Sequence, residues 1–213
     1  EEVIYLDKPG TILSEQTEND SSLYQDTKQK LIKTCSVSGI SFDEKESVLS
    51  TLQKHKIKHH YVESLDPNDD EVVAKVNKLP ERTCVYSGPG GKILRSGLFE
   101  TGKSFIHAHP GKLPSYKGST TIYYSLLIHG TISVSVIELN ENLDEGDIFS
   151  IDDFKFRAGS SLDYVIDPCV RAYSLLKFFK KQNKGKKQDK IGNTFYIIHP
   201  VLKHLAIIKN KAY

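Results

Sequence analysis

The chain has no methionine and no tryptophan among its 213 residues. Methionine is missing even at position 1, so the sequence is expected not to be the complete primary translation product. There are three cysteines, Cys35, Cys84 and Cys169. Their odd number and wide spacing exclude a disulfide framework and fit reduced thiols packed as small core residues. An excess of one charge is also lacking: 29 Lys and Arg stand against 27 Asp and Glu, a net charge of +2. That balance gives no argument for nucleic acid, which needs a clustered basic surface. No apolar run approaches the roughly 20 residues of a membrane-spanning helix. The opening Glu1-Glu2-Val3-Ile4-Tyr5-Leu6 has neither the basic nor the apolar segment of a secretory signal. The expectation is a soluble, cytoplasmic protein with no membrane partner.

What is present reads as an α/β protein. Hydrophobic residues make up 38% and charged residues 26% of the chain, an ordinary globular balance. Short apolar runs predict strands at 3–6, 57–62, 83–86 and 104–107, and alternation predicts strands at 132–139 and 147–156. Helical spacing covers 43–56, with Val48, Leu49 and Leu52 on one face. A second helix follows Asp66-Pro67-Asn68-Asp69-Asp70, with Val72, Val73 and Val76 as its buried stripe. Further helices are predicted at 120–128, closed by His129-Gly130, at 161–181, where Pro168 marks a kink or a late first turn, and at 201–208. A polar stretch at 11–30 reads as a loop with one irregular helix, and a last strand is expected at 194–198. Alternating strands and helices predict a Rossmann-like, mostly parallel sheet with helices on both faces and a small C-terminal helical and β appendage.

In such folds ligands bind at the carboxyl ends of strands. Two glycine- and histidine-rich turns, at 87–91 and 107–111, fall at such ends. His107 and His109, two apart, leave a strand on the same face, and Pro110 stops the strand beyond them. A carboxylate from the turn Asn142-Leu143-Asp144-Glu145-Gly146-Asp147 could orient an imidazole or take a proton. A histidine pair at a strand end also arises as a plain solvent-facing pair. His-x-His with a distant aspartate is compatible with zinc or iron, but no fourth ligand has convincing spacing. His55, His59 and His60 read as surface residues. The basic stretch Lys180-Lys181-Gln182-Asn183-Lys184-Gly185-Lys186-Lys187 has no interleaved aromatic and reads as a solvated linker. Thr120 and Thr121 either line a pocket or simply begin a helix.

The run His107-Ala108-His109-Pro110-Gly111-Lys112-Leu113-Pro114-Ser115-Tyr116-Lys117-Gly118 resembles the Asn-x-His-Pro-(Ser/Gly)-x-Leu-Pro-x-Tyr-(Arg/Lys)-Gly signature of the folate-dependent formyltransferases. Leu143-Asp144-Glu145-Gly146-Asp147-Ile148 resembles the family's Leu-Asp-x-Gly-Asp-Ile signature. The stretch 85–94 looks like the family's folate-binding loop. The resemblance implies a formyltransferase-like α/β domain over 1–156, with the family's first strand-helix unit apparently absent, and a C-terminal helix, basic linker and strand-helix appendage over 157–213.

It further implies N10-formyltetrahydrofolate as formyl donor. A small amine, such as a sugar-nucleotide amine, would be the acceptor. His109 takes the place of the family's catalytic histidine and Asp144 that of its aspartate. Tyr86, Ser87, Gly88, Pro89, Gly90, Ile93, Leu94 and Leu143 would hold the donor. His107 departs from the pattern, standing where the family has asparagine. An imidazole titrates near neutrality and donates from a given nitrogen in only one neutral tautomer, whereas an amide donates at any pH. Three outcomes are open: the histidine replaces the asparagine as oxyanion donor, the protein moves another acyl group, or it binds without catalysis. A formyltetrahydrofolate hydrolase on the same scaffold is a further alternative.

Overall fold

The computed structural model describes residues 2–7, 29, 46–88, 91–156, 162–181, 184–189 and 192–210. The strands β1 (Glu2–Asp7) and β2 (Lys58–Glu63) form a parallel pair. A four-stranded sheet follows in the order β3 (Thr83–Val85), β4 (Ser104–His109), β6 (Thr131–Leu139) and β7 (Ile148–Lys155). Its β3–β4 ladder is parallel and its β4–β6 and β6–β7 ladders are antiparallel. A third, parallel pair joins β5 (Tyr116–Gly118) to β8 (Asn193–Phe195). The described ladders are thus parallel in majority, and the α/β class read from the sequence stands.

The helices are α1 (Val48–Lys54), α2 (Asp70–Lys78), α3 (Ser96–Phe99), α4 (Thr121–His129), α5 (Asp167–Lys181) and α6 (Pro200–Lys209). The local chemistry sets their ends. Asp69 caps α2 by accepting the Glu71 backbone N–H, with Asp70 and Glu71 at the positive end of the dipole and Lys75 and Lys78 at the other. Gly130, at φ 68°, closes α4. Of the apolar face expected for the first helix, only Leu52 is buried; Val48 and Leu49 are exposed, and the helix is shorter than its periodicity predicts. Pro168 is the second residue of α5, directly after a π turn (Leu162–Ile166) that leads into it, and the π turn is a local departure from the regular α ladder, which proline would interrupt. The polar stretch at 11–30 lies outside the described residues apart from Gln29.

Strand β4 divides the core. Phe105 packs with Val62, Val72, Val76, Leu94 and Leu98 on one side, while Ala108 packs with α4, α5 and α6 on the other. Their odd spacing puts them on opposite faces of the strand, so helices cover both. Central β6 is the best buried strand: Ile132, Val134, Val136 and Ile137 have no solvent exposure. Its serines also work. Ser135 accepts the Leu113 N–H at 3.0 Å and donates to the Gly111 carbonyl at 2.7 Å, which fixes the turn that follows His109.

Candidate active site

Strand β4 ends on His109, and the loop between β6 and β7 brings Asp144 to it. Asp144 sits at φ 54°, a left-handed conformation that aspartate tolerates better than most residues. Both side chains are buried, at 2% and 8% exposure. His109 Nδ1 lies 3.5 Å from Asp144 Oδ2, which also accepts the Gly118 N–H at 2.8 Å. His109 Nε2 lies 2.7 Å from the Tyr116 carbonyl, and a carbonyl only accepts, so Nε2 carries a hydrogen. Thr121 gives its own hydrogen to the Pro110 carbonyl and turns an oxygen lone pair toward the same nitrogen at 3.4 Å.

The protonation of this pair follows. With Nε2 a donor, a neutral ring turns a lone pair toward a carboxylate oxygen, which is repulsive. A proton on Nδ1 or on the carboxyl converts that repulsion into attraction. Burial pushes the imidazole below its usual value, and the Asp144 charge opposes this. The pair is therefore a place where one proton can be held or passed.

His107 is fixed differently. Its Nδ1 lies 3.0 Å from the Tyr86 carbonyl, so Nδ1 carries the hydrogen and Nε2 is left with a lone pair. Burial lowers its pKa to about 4, so the ring is neutral at ordinary pH. The Tyr86 ring lies beside it, with centroids 5.9 Å apart.

A cavity of about 500 Å³, within the size range of small-molecule sites, brings these groups together. His107, His109 and Asp144 line it. Of the proposed donor-binding residues, Tyr86, Gly88, Ile93, Leu94 and Leu143 line it too; Ser87 does not, and Pro89 and Gly90 lie outside the described residues. Thr120 also contributes to the wall, while Thr121 is buried beneath it. Among the described residues no group of three or more His, Cys, Asp or Glu is placed to hold a metal ion.

Sequence reasoning missed three groups. Asp163, Asp167 and Arg171 form a polar wall at the start of α5. Thr194, Phe195, Tyr196 and Ile197 form another, brought in by β8. Gln188, one residue beyond the stretch read as a solvated linker, donates through Nε2 to the carbonyls of Asp144 and Gly146, each at 2.8 Å. The Lys186 backbone pairs with Ile148, so this stretch is bound to the Asp144 hairpin. Buried Lys117, on β5, pairs with Glu145 of the same turn at 2.5 Å. The polar helix start of 163–171 was the one available signal, but it had no motif to distinguish it from packing.

The comparisons with known proteins bear out the resemblance to formyltransferases in partial sequence and in fold. No protein-family model matches the chain. Over 89 residues it is 33% identical to the methionyl-tRNA formyltransferase of Finegoldia magna, a match covering 41% of this chain and 29% of that protein. The chain thus matches under a third of that relative's length. A sugar N-formyltransferase from a Shewanella species superposes with a TM-score of 0.54 at 15% identity, covering 98% of this chain and 87% of that one. The formyltransferase PseJ from Anoxybacillus kamchatkensis, solved in complex with UDP-4,6-dideoxy-4-formamido-L-AltNAc and tetrahydrofolate, gives a TM-score of 0.53 at 13% identity over 92% of this chain and 86% of that one. The chain is formyltransferase-like in sequence and has the formyltransferase fold.

Proposed function

We propose that the protein is an N-formyltransferase that moves the formyl group of N10-formyltetrahydrofolate to a small amine such as a sugar-nucleotide amine. The observation that carries this reading is the enclosed His109–Asp144 pair, which shares one cavity with His107 and with apolar side chains from the 86–94 and 140–144 segments. The apolar side chains Tyr86, Ile93, Leu94 and Leu143 on the cavity's lining suit a flat heteroaromatic donor. Tyr86, Ser87, Gly88, Pro89, Gly90, Ile93, Leu94 and Leu143 are the proposed donor-binding residues. A cytoplasmic location is part of this reading. So is a division in which 1–156 carries the donor site and 157–213 completes the acceptor side.

In the reaction, the amine nitrogen attacks the formyl carbon, forming the new C–N bond and placing negative charge on the formyl oxygen. Collapse of this tetrahedral species breaks the bond to N10 and leaves a formamide and tetrahydrofolate. One proton must leave the attacking nitrogen and one must reach N10. The His109–Asp144 pair, holding a single proton between two sites, is suited to that exchange. His107, in the tautomer anchored to Tyr86, offers an acceptor at Nε2, so its proposed role is to orient an amine N–H; an oxyanion donor would require the ring to turn.

The test supplies N10-formyltetrahydrofolate with and without nucleotide-linked 4-amino sugars and follows tetrahydrofolate release. Release that depends on the amine supports the proposal. Release of formate without any amine replaces it with hydrolysis. Binding of tetrahydrofolate with no turnover favours the reading in which His107, in the asparagine's place, has left a binding domain; restoration of turnover in His107→Asn would then establish it.

A further inference from the structure

The α5 wall of the cavity is not explained by either signature. Asp167 opens α5 directly after the π turn, a distortion that often marks functional positions. Its Oδ2 stands 3.4 Å from Nε of Arg171, one helical turn on. Its Oδ1 is enclosed and has no hydrogen-bond partner among the described residues, and Nε of Arg171 also lacks one among them. Neighbouring Asp163 differs: it accepts the Tyr123 hydroxyl at 2.7 Å and pairs with Lys203.

An enclosed carboxylate oxygen without a donor is costly, the more so when the group is charged. Burial accordingly pushes the Asp167 carboxyl up to about 6, even against the Arg171 charge. The unmet demand is for an N–H or a cation. Asp167 and Arg171 line the same cavity as His107 and His109. The unpartnered carboxylate therefore belongs to the cavity that holds both imidazoles, and it is not among the residues proposed to hold folate.

We propose that Asp167 receives an N–H of the acceptor's primary amino group at Oδ1, so that the start of α5 is the amine subsite. Arg171 orients that carboxylate from one turn along. This rests on the formyl-transfer reading and names the group that would select an amine over an alcohol, since a hydroxyl has a single hydrogen and carries no positive charge.

The experiment compares wild type with Asp167→Asn, using N10-formyltetrahydrofolate at a saturating level and the UDP-linked 4-amino-4,6-dideoxy sugar as amine, with other nucleotide-linked 4-amino sugars beside it. Tetrahydrofolate binding is measured by calorimetry. The expected result is a KM for the amine raised by about tenfold or more, with tetrahydrofolate affinity unchanged. Asp167→Glu, which keeps the charge but displaces it, is expected to raise KM less and covers the case in which the asparagine variant does not fold. A KM for the amine equal to wild type in either folded variant overturns the proposal, whatever happens to kcat. Weakened tetrahydrofolate binding with unchanged amine KM overturns it by assigning Asp167 to the donor. Wild type that transfers to no amine defeats the formyl-transfer reading itself, a result distinct from an active wild type with an indifferent Asp167.

Discussion

Gln188 Nε2 donates to the backbone carbonyl of Asp144 at 2.8 Å, across 44 residues of sequence. A second bond from the same nitrogen, to the Gly146 carbonyl, clamps the turn on both sides of Glu145. Gln188→Ala should cost about 1–3 kcal/mol in thermal or denaturant unfolding, the net worth of two such bonds. It should also lower turnover while leaving tetrahydrofolate binding nearly intact, because the turn it releases carries Asp144, the carboxylate proposed to react.

His109→Ala and Asp144→Asn are each expected to reduce formyl transfer by roughly a hundredfold to ten-thousandfold, the usual span for loss of an acid-base group. The double variant should be little worse than either single, since the pair acts as a unit. Single-turnover measurements at saturating donor separate this from a binding defect. Rates equal to wild type would remove the pair from the mechanism.

Acid stability gives an independent check, because two buried groups act with opposite sign. His107 has its pKa lowered from 6.5 to about 4 by burial, so between those values the unfolded chain binds the extra proton and stability falls as pH falls. Asp167 has its pKa raised from 3.8 to about 6, also by burial, so in that window the folded chain holds the extra proton and stability falls as pH rises. At about 1.4 kcal/mol per pH unit, each effect reaches at most about 3 kcal/mol, and the two largely cancel between pH 4 and 6. His107→Asn should therefore gain in Tm relative to wild type as pH is lowered from 6.5 to 4. Asp167→Asn should lose over the same range. Parallel Tm curves for all three proteins would show that neither group titrates differently on folding.

Gly118→Ala is expected to be severe. Gly118 has φ +100°, and a Cβ there would stand 2.2 Å from the Phe195 carbonyl oxygen, which is backbone and cannot swing aside. The same residue's N–H holds Asp144. Loss of about 2–4 kcal/mol in unfolding is expected, together with loss of turnover. A stable, active variant would contradict the β5–β8 pairing.

The residues proposed to carry the chemistry could be singled out from the sequence because they lie in short, ordered strings. The run from His107 to Gly118 and the turn around Asp144 each carry their own signature, and the alternation in β6 and β7 marks the hairpin that presents the carboxylate. What was not legible depends on long-range pairing. Tyr116–Gly118 is too short to show alternation and becomes a strand only because β8 lies against it. Asp167 and Arg171 have the spacing of any helical ion pair, and only the cavity shows that they face a ligand space. Gln188 sits among lysines whose charge suggested a solvated stretch, yet its amide is the group that reaches inward. Val48 and Leu49 show the reverse, apolar spacing on residues that the described structure leaves exposed.

The pairing of β5 with β8 also has a temporal meaning. Tyr116 aligns with Asn193, and Thr120 accepts the Ile198 N–H, so the strand carrying part of the cavity wall arrives almost a hundred residues after the imidazoles have been made. Synthesis proceeds at about 5–20 residues per second. A nascent chain therefore presents its histidines for several seconds before the wall formed by Thr194, Phe195, Tyr196 and Ile197 can dock. Until the ribosome has delivered that strand, the cavity is an open trough, and a folate-like ligand present during synthesis would meet an unfinished site.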